Sequence, residues 1–173
     1  MSPTVQPPVL QTPRLTLRPP AMADFADYAA FLATERAWGM GGPLSAEQAW
    51  TYFTNDVAQW PLLGLGGLMI CPGGGAPVGQ VAVCHGPIVP EPEIGWLLYQ
   101  GHEGQGLALE AALAIKAWAL GPRGLASLVS YIAPANTASI RLAQRLGGWR
   151  DDAASTPAGI TPLTYRYLAE GGQ

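Results

Sequence analysis

The sequence is poor in the side chains that build disulfide frameworks and metal centres. It contains two cysteines and two histidines among 173 residues. In a reducing cytosol, Cys71 and Cys84 are most simply free thiols of the core, and a disulfide or a metal pair is the weaker alternative. His85 follows Cys84 directly, but neighbouring residues of a strand face opposite sides. We therefore expect no metal cofactor.

Positive charge and long apolar runs are also scarce. Nine Lys and Arg against twelve Asp and Glu give a net charge of −3. Since binding through nucleic-acid phosphates requires a basic surface, we expect no nucleic-acid partner. The apolar run at residues 107–120 is too short to span a bilayer and contains Glu110 and Lys116, so no membrane association is expected. Residues 1–10 lack the features of a signal peptide, which predicts a cytoplasmic location.

Apolar residues are abundant, at 49% of the chain, which is enough for the core of one domain spanning residues 1–173. The proline-rich residues 1–13 are interpreted as a loose N-terminal arm. Hydrophobic periodicity, turn residues and capping residues then divide the chain into elements. The predicted strands are 14–18, 64–71, 78–85, 94–99, 125–132, 149–152 and 163–168. The predicted helices are 21–37, 45–59, 105–120 and one that is capped by Asn136 and ends at Gly147. Ser45 and Gln48 are predicted to form a capping box at the start of the second helix. This order indicates an α+β fold with a mixed sheet.

A glycine-rich turn lies where the strand at 94–99 leads into the helix at 105–120. Gly101, Gly104 and Gly106 fall in this turn, and free N–H groups at a helix start form an anion site, so the turn predicts a ligand that carries phosphate. A Walker A loop would require lysine in place of Leu107. A dinucleotide fingerprint would require glycine in place of Leu109 and a later acidic residue, which is missing. The alternative is that the glycines only allow close packing of helix and strand.

Charge is distributed unevenly along the chain. Residues 19–100 contain one basic and seven acidic residues, whereas residues 101–150 contain five basic and two acidic ones. If these stretches form opposite sides of a cleft, one side favours an anionic cofactor and the other a cationic substrate. Solvated surface is the alternative interpretation.

Three motifs in order resemble one known family. They are TPRLTLRP near the start, EIGWLL followed by a turn and helix with Gly104, Gly106, Glu110 and Ala111, and PANTASIRLAQRLGGW. This pattern is similar to the GNAT N-acetyltransferase superfamily, and within it to the RimJ/RimL-like group that acetylates ribosomal-protein N-termini and small amines. The resemblance implies a mostly antiparallel sheet of six to seven strands flanked by about four helices. Splayed central strands would open a cleft for acetyl-CoA.

The resemblance also implies a cofactor site. The strand residues Leu97, Leu98 and Tyr99 would pair with pantetheine, and one backbone N–H would stabilise charge on the thioester oxygen. The pyrophosphate would lie on Gly104, Gln105, Gly106, Leu107 and Ala108. Glu103 stands where the superfamily has Gln or Arg, and we expect it to point away because a carboxylate repels a pyrophosphate. Asn136 and Ser139 would contact pantetheine or the sulfur, and the alternative is that they only form a helix cap.

The chemistry implied by the resemblance needs a base, because the attacking amine must lose its proton. Glu93 is the first choice and Glu91 the second, and the alternative is that Glu93 is a solvated strand-end residue. The tyrosine that many members use as an acid is replaced by Ala143, so Ser139 is the remaining candidate near the sulfur. Glu110 is interpreted as a structural hydrogen-bonder.

The function expected from the resemblance is direct transfer of an acetyl group from acetyl-CoA to a primary amine. The acceptor could be a peptide N-terminus, a polyamine, an aminoglycoside or an amino acid. A non-catalytic acyl-CoA-binding or regulatory module is the alternative. The group includes monomers and dimers, so the resemblance does not distinguish a monomer from a homodimer.

Overall fold

The computed structural model describes residues 6–169, which form one eight-stranded sheet in the order β1-β2-β3-β4-β5-β6-β8-β7. The strands are Leu10–Gln11 (β1), Leu15–Arg18 (β2), Gly66–Pro72 (β3), Gly79–Gly86 (β4), Val89–Leu98 (β5), Ser127–Ile132 (β6), Trp149–Arg150 (β7) and Leu163–Leu168 (β8). The α-helices are Phe25–Leu32 (α1), Ala46–Leu63 (α2), Leu107–Leu120 (α3) and Thr137–Arg145 (α4), and Met22–Asp24 and Glu35–Met40 are 3₁₀ helices. No helix in this part of the chain combines the length and apolarity needed to cross a bilayer.

The predicted α+β fold with a mixed sheet is confirmed. The sheet has eight strands instead of six to seven because residues 10–11, assigned to the loose arm, pair with β2 through Leu10↔Leu17 and Gln11↔Thr16. A two-residue edge strand has no periodicity by which a sequence pattern would reveal it. Residues 1–5 of the predicted arm lie outside the described residues.

The helical predictions hold with two corrections. The predicted helix 21–37 is divided into the 3₁₀ helix Met22–Asp24, α1 and a second 3₁₀ helix. The capping box of α2 is confirmed: the Gln48 N–H donates to Ser45 Oγ at 3.2 Å, and the Ser45 N–H donates to Gln48 Oε1 at 2.8 Å. Helix α2 continues through Pro61 to Leu63, beyond the predicted end at residue 59.

The strand β5 begins at Val89, five residues before its predicted start. Pro90 and Pro92 interrupt the pattern of backbone donors, and the register between β4 and β5 shifts in this region, between Cys84 and Gly86. Proline in a sequence argues against a strand, but it is tolerated where the hydrogen-bond ladder is irregular. The two prolines are therefore the reason why the sequence pattern placed the start of β5 too late. The other predicted strands agree with the structure to within two residues at each end.

The sheet carries helices on both faces. Alternate residues of β5 contribute to two different cores: Ile94 packs in the cluster that contains α3, and Leu97 packs in the cluster that contains α1 and α2. Helix α3 is largely buried, as its apolar sequence predicts, because the sheet covers it on one side and α4 contacts it on another. Side chains on the Leu97 face of β5 therefore point toward α1 and α2.

The centre of the sheet is splayed, as the resemblance implies. Strands β5 and β6 run parallel and pair at one position, Glu93↔Val129, while both pair extensively with their other neighbours. Beyond this point they diverge toward their carboxyl ends. Since α3 follows β5 and α4 follows β6, both helices begin at the open end of the gap. The fold thus creates a cleft bounded by two strands and two helix N-termini.

Candidate active site

The backbone of β5 presents polar groups to the gap at two residues. The Ile94 carbonyl points toward β6, because it accepts a hydrogen bond from Ser130 Oγ at 2.8 Å. Backbone groups alternate in direction along a strand, so those of Trp96 and Leu98 point to the same side. At these two residues β5 has no β6 partner. Trp96 and Leu98 therefore offer backbone groups to a ligand in the gap.

Leu97 and Tyr99, the other predicted pantetheine contacts, direct their backbone groups to β4 instead. The Tyr99 N–H donates to the Val78 carbonyl at 2.8 Å. The Leu97 carbonyl lies so close to Gly79 that a Cβ added there would collide with it. Of the three predicted strand residues, the backbone geometry thus favours Leu98 alone. Trp96, which was not among the predicted residues, presents its backbone to the gap in the same way as Leu98. The alternation of backbone direction along a strand groups these two residues together and separates them from Leu97 and Tyr99.

The glycine turn forms a cradle of free N–H groups. Gly101, Gly104 and Gly106 have φ of 89°, 73° and 77°, a left-handed conformation that disfavours side chains. The N–H groups of residues 104–108 have no hydrogen-bond acceptor within the described chain. Gly106 is the N-cap of α3, so these donors lie at the positive end of the helix. The turn fits the phosphate role predicted for Gly104, Gln105, Gly106, Leu107 and Ala108.

Glu103, the departure from the superfamily pattern, makes contacts outside this cradle. Its Oε2 accepts the Gly101 N–H at 2.9 Å, and its carboxylate forms an ion pair with Arg36 of the 3₁₀ helix Glu35–Met40. The countercharge of Arg36 reduces the repulsion that this carboxylate would exert on a nearby anion. The same ion pair joins the turn to the segment between α1 and α2.

A hydrogen-bond network supports the turn from the other side. Arg14 donates from Nη1 to the Gln105 carbonyl at 2.9 Å and from Nε to Glu110 Oε2 at 2.6 Å. The Thr12 hydroxyl donates to Glu110 Oε1 at 2.6 Å. Glu110 is thus the structural hydrogen-bonder that its sequence position predicts. Arg14 thus joins the turn and the start of α3 to the segment that precedes β2.

Asn136 and Ser139 lie at the N-terminus of α4. Asn136 Oδ1 accepts the Ser139 N–H at 3.1 Å, so the predicted helix cap is present. A Cβ added at Gly39 would lie 3.2 Å from Asn136 Nδ2, which places the segment between α1 and α2 against this cap. The Ser139 hydroxyl makes no hydrogen bond within residues 6–169 and stays available at the open end of the gap. Ala143 is fully buried in the core, so the missing tyrosine has no replacement at its position.

Glu93 lies where β5 and β6 separate. Burial raises the pKa of its carboxyl to about 7, a Tyr131 N–H on β6 acts in the opposite direction, and the charge of Asp56 raises the pKa further. The side chain forms no ion pair within the described residues. Glu93 is therefore a partly buried carboxyl beside the gap that gains and loses a proton near neutral pH.

Glu91 is unsuited to the role of base, for which it was the second choice. Arg166 donates to its two oxygens at 2.7 and 2.9 Å. This bidentate hydrogen bonding holds the pKa of Glu91 below its usual range, against the effect of burial. Arg166 also pairs with Asp151. Glu91 is thus a structural partner of β8, and its carboxylate stays ionised and occupied.

A space opens on the α1/α2 face of β5 next to Glu93. Gly95 follows Glu93 on this face, and a Cβ added to it would meet no atom within 4 Å. Its cross-strand partner is Ala82, another small residue, which is partly exposed. The pair forms the floor of a space that an acceptor can occupy beside the carboxylate. This small-residue pair was not predicted, because its register is visible only in the folded sheet.

Metal ligands do not converge in this region or elsewhere in residues 6–169: no group of three or more His, Cys, Asp or Glu side chains could hold a metal ion. Both cysteines are free, with Cys71 buried and Cys84 partly buried.

A splayed mixed sheet, a turn with free N–H groups and a partly buried carboxyl at the fork together form a cleft that suits a phosphate-bearing ligand and a second reactant. Residues 14–148 match the acetyltransferase (GNAT) domain family, and the chain belongs to this family. The predicted family membership is confirmed.

Solved structures agree with this assignment. The chain is 47% identical to an acetyltransferase from Agrobacterium tumefaciens, with 94% of this chain and 95% of the other covered at a TM-score of 0.90. It shares the fold of RimL, a ribosomal L7/L12 α-N-protein acetyltransferase solved with coenzyme A, at 15% identity, 94% and 99% coverage and a TM-score of 0.74. It also shares the fold of a microcin C7 self-immunity acetyltransferase solved with acetyl-CoA and AMP, at 15% identity, 95% and 98% coverage and a TM-score of 0.72.

Proposed function

We propose that this protein transfers an acetyl group from acetyl-CoA directly to a primary amine, with Glu93 as the base. The observation that carries the proposal is the position of Glu93: a carboxyl with a pKa of about 7 lies at the fork of β5 and β6. One wall of the fork offers free backbone groups, and the α1/α2 face of β5 offers an open space.

The cleft suits acetyl-CoA at both ends. The N–H groups of residues 104–108 provide donors for the pyrophosphate at the start of α3. The backbone groups of Trp96 and Leu98 suit the amide groups of pantetheine, and one N–H would donate to the thioester oxygen as negative charge develops there. Structures of the same fold have been solved with coenzyme A and with acetyl-CoA, which supports this choice of donor.

The acid–base properties of Glu93 match an amine acceptor. An α-amino group has a pKa of about 8 and a lysine-type amine one of about 10.4, so each is mostly protonated at neutral pH. A carboxylate with a pKa of about 7 can take that proton more readily than an ordinary glutamate, because the pKa gap is smaller.

The transfer then balances in one displacement. The neutral amine nitrogen attacks the thioester carbon, the new C–N bond forms, and the C–S bond breaks with its electron pair on sulfur. Glu93 holds the first proton of the ammonium group, and the nitrogen releases a second proton as the amide forms. The leaving thiolate takes up that second proton to give the CoA thiol. The Ser139 hydroxyl, in the first turn of α4, is the candidate to relay it, because it can give its own proton to the sulfur and regain one from the nitrogen.

Release of CoA thiol across a panel of amines tests this function. The panel comprises a peptide with a free N-terminus, a diamine, an aminoglycoside and an amino acid. We expect Glu93→Gln to lower kcat/KM by at least about a hundredfold, the range of general base catalysis. The variant should keep the rise in melting temperature that excess acetyl-CoA produces by mass action. Glu47→Gln removes an exposed charge from α2 and serves as the matched control, with unchanged kinetics.

Two other outcomes would contradict the proposal in different ways. Protection by acetyl-CoA without thiol release from any amine would favour the alternative of a non-catalytic acyl-CoA-binding or regulatory module. The replacement of the tyrosine acid by Ala143 is the feature that favours this alternative. Thiol release that Glu93→Gln leaves unchanged would exclude Glu93 as the base while keeping the transferase.

A further inference from the structure

A second carboxylate lies next to Glu93 on the α1/α2 face of the sheet. It belongs to Asp56 in α2, whose Oδ1 accepts a hydrogen bond from Cys84 Sγ at 3.5 Å. Cys84 is the cross-strand partner of Glu93. Asp56 and Glu93 therefore both lie next to Cys84. The charge of Asp56 contributes to the raised pKa of Glu93.

Asp56 has no cationic partner in the described chain. Its carboxyl takes part in none of the ion pairs formed within residues 6–169. Arg36 is the one basic residue of the stretch 19–100, and it pairs with Glu103. Burial raises the pKa of Asp56 to about 6, and the polar side chains of Cys84, Gln80 and Asn55 act in the opposite direction. A partly buried carboxylate without a countercharge is a position that a cationic ligand would stabilise.

A buried hydroxyl of α1 also lacks a partner. Tyr28 is fully buried, and its hydroxyl forms no hydrogen bond in the described chain. Burial raises the pKa of Tyr28, and the charges of Asp56, Tyr99 and Cys84 raise it further. Because this hydroxyl is closed to solvent, Asp56 is the group that a cationic ligand would contact.

The space beside Asp56 and Glu93 is open. Gly95 and Ala82 form its floor, as described above, and both acidic residues are partly exposed. Glu93 borders the same space. The acceptor therefore meets two carboxylates of different function within one pocket.

We propose that Asp56 binds a second cationic group of the acceptor, and that the acceptor is accordingly a small diamine or polyamine. The inference rests on the proposed function, since it assumes that Glu93 deprotonates the reacting amine. That amine becomes neutral before transfer and leaves the charge of Asp56 uncompensated. A second ammonium group on the same molecule compensates it and fixes the position of the first.

A comparison of two acceptors of equal chain length tests this inference. We measure CoA thiol release with 1,4-diaminobutane and with butylamine, which differ in the second amine. The expected kcat/KM for the diamine exceeds that for butylamine by at least about tenfold, the lower range for a close, partly buried charge pair. High salt should reduce the preference, since screening weakens charge pairs that water can reach.

Two variants of α2 assign the preference to a residue. Asp56→Asn should lower kcat/KM for the diamine by at least about ten times more than for butylamine. Glu47→Gln removes the same charge from an exposed position of the same helix and should keep the preference of the unmodified protein. A preference that Asp56→Asn leaves intact would overturn the role of Asp56.

The experiment separates failure of the inference from failure of the proposed function. Equal kcat/KM for the two amines overturns the inference and leaves the transferase intact, and this comparison needs no variant that might fold poorly. Faster reaction of the peptide N-terminus than of the diamine overturns it as well. No thiol release from any amine, with acetyl-CoA protection retained, overturns the proposed function and the inference with it.

Discussion

The buried position of Glu93 predicts that the residue lowers the stability of the fold at neutral and higher pH. Its pKa rises from 4.5 to about 7 on folding. The unfolded chain therefore loses this proton at lower pH than the folded protein does, and stability falls as pH rises between these two values. Above the pKa that Glu93 has in the folded protein, the full loss of stability persists. Glu93→Gln removes the titrating group and with it this loss.

The size of the effect follows from the shift. A change from 4.5 to about 7 at 1.36 kcal/mol per pKa unit gives an upper limit of about 3 kcal/mol. Glu93 is partly exposed, so water screens its charge, and we expect a gain of about 1–2 kcal/mol. For a chain of this length that gain corresponds to a melting temperature about 2–8 °C higher.

Urea unfolding of the two proteins at two pH values provides the measurement. Glu93→Gln should be more stable than the unmodified protein at about pH 8.5, and the two should converge at about pH 4, where Glu93 is protonated in both states. A Gln variant that is less stable at the higher pH, or a difference independent of pH, would refute the assignment of a desolvated carboxyl. The same variant loses transferase activity, so stability and function change in opposite directions.

Three further changes have defined outcomes. Glu91→Gln should destabilise the fold by about 1–3 kcal/mol at neutral pH, because it weakens a charged hydrogen-bond pair with Arg166. Folding lowers the pKa of Glu91, so urea unfolding should show that this loss shrinks as pH falls. Gly106→Val places a side chain at a φ of 77° in the N–H cradle, and calorimetry should detect a loss of acetyl-CoA affinity of at least about tenfold, whereas unchanged affinity would exclude the cradle. Tyr28→Phe removes an unpaired buried hydroxyl and should raise stability by about 1 kcal/mol. A loss of stability on thermal unfolding would mean that the hydroxyl has a structural partner.

Features that depend on neighbours in the chain could be predicted from the sequence. The capping pairs Ser45–Gln48 and Asn136–Ser139 join residues three apart, so local propensity is sufficient to identify them. The glycine turn at the start of α3 was predicted for the same reason, since its conformation depends on the residues within it. The splay of β5 and β6 was predicted from family resemblance and not from local pattern.

The roles of the individual carboxylates required the tertiary structure. Glu91 and Glu93 look alike in the sequence, but Arg166, 75 residues from Glu91, pairs with one of them and burial raises the pKa of the other. No sequence pattern distinguishes Asp56 from the other six acidic residues of the stretch 19–100. Its contact with Cys84, 28 residues away, places it near Glu93.

The sequence by itself thus determined the family, the order of the elements and the turn that suits a phosphate, because these depend on local spacing. Only the tertiary structure decided which strand residues point their backbone into the gap, which carboxyl has a pKa near neutral pH and which carboxylate is left without a cationic partner. These properties depend on burial and on contacts between distant parts of the chain, which packing alone creates.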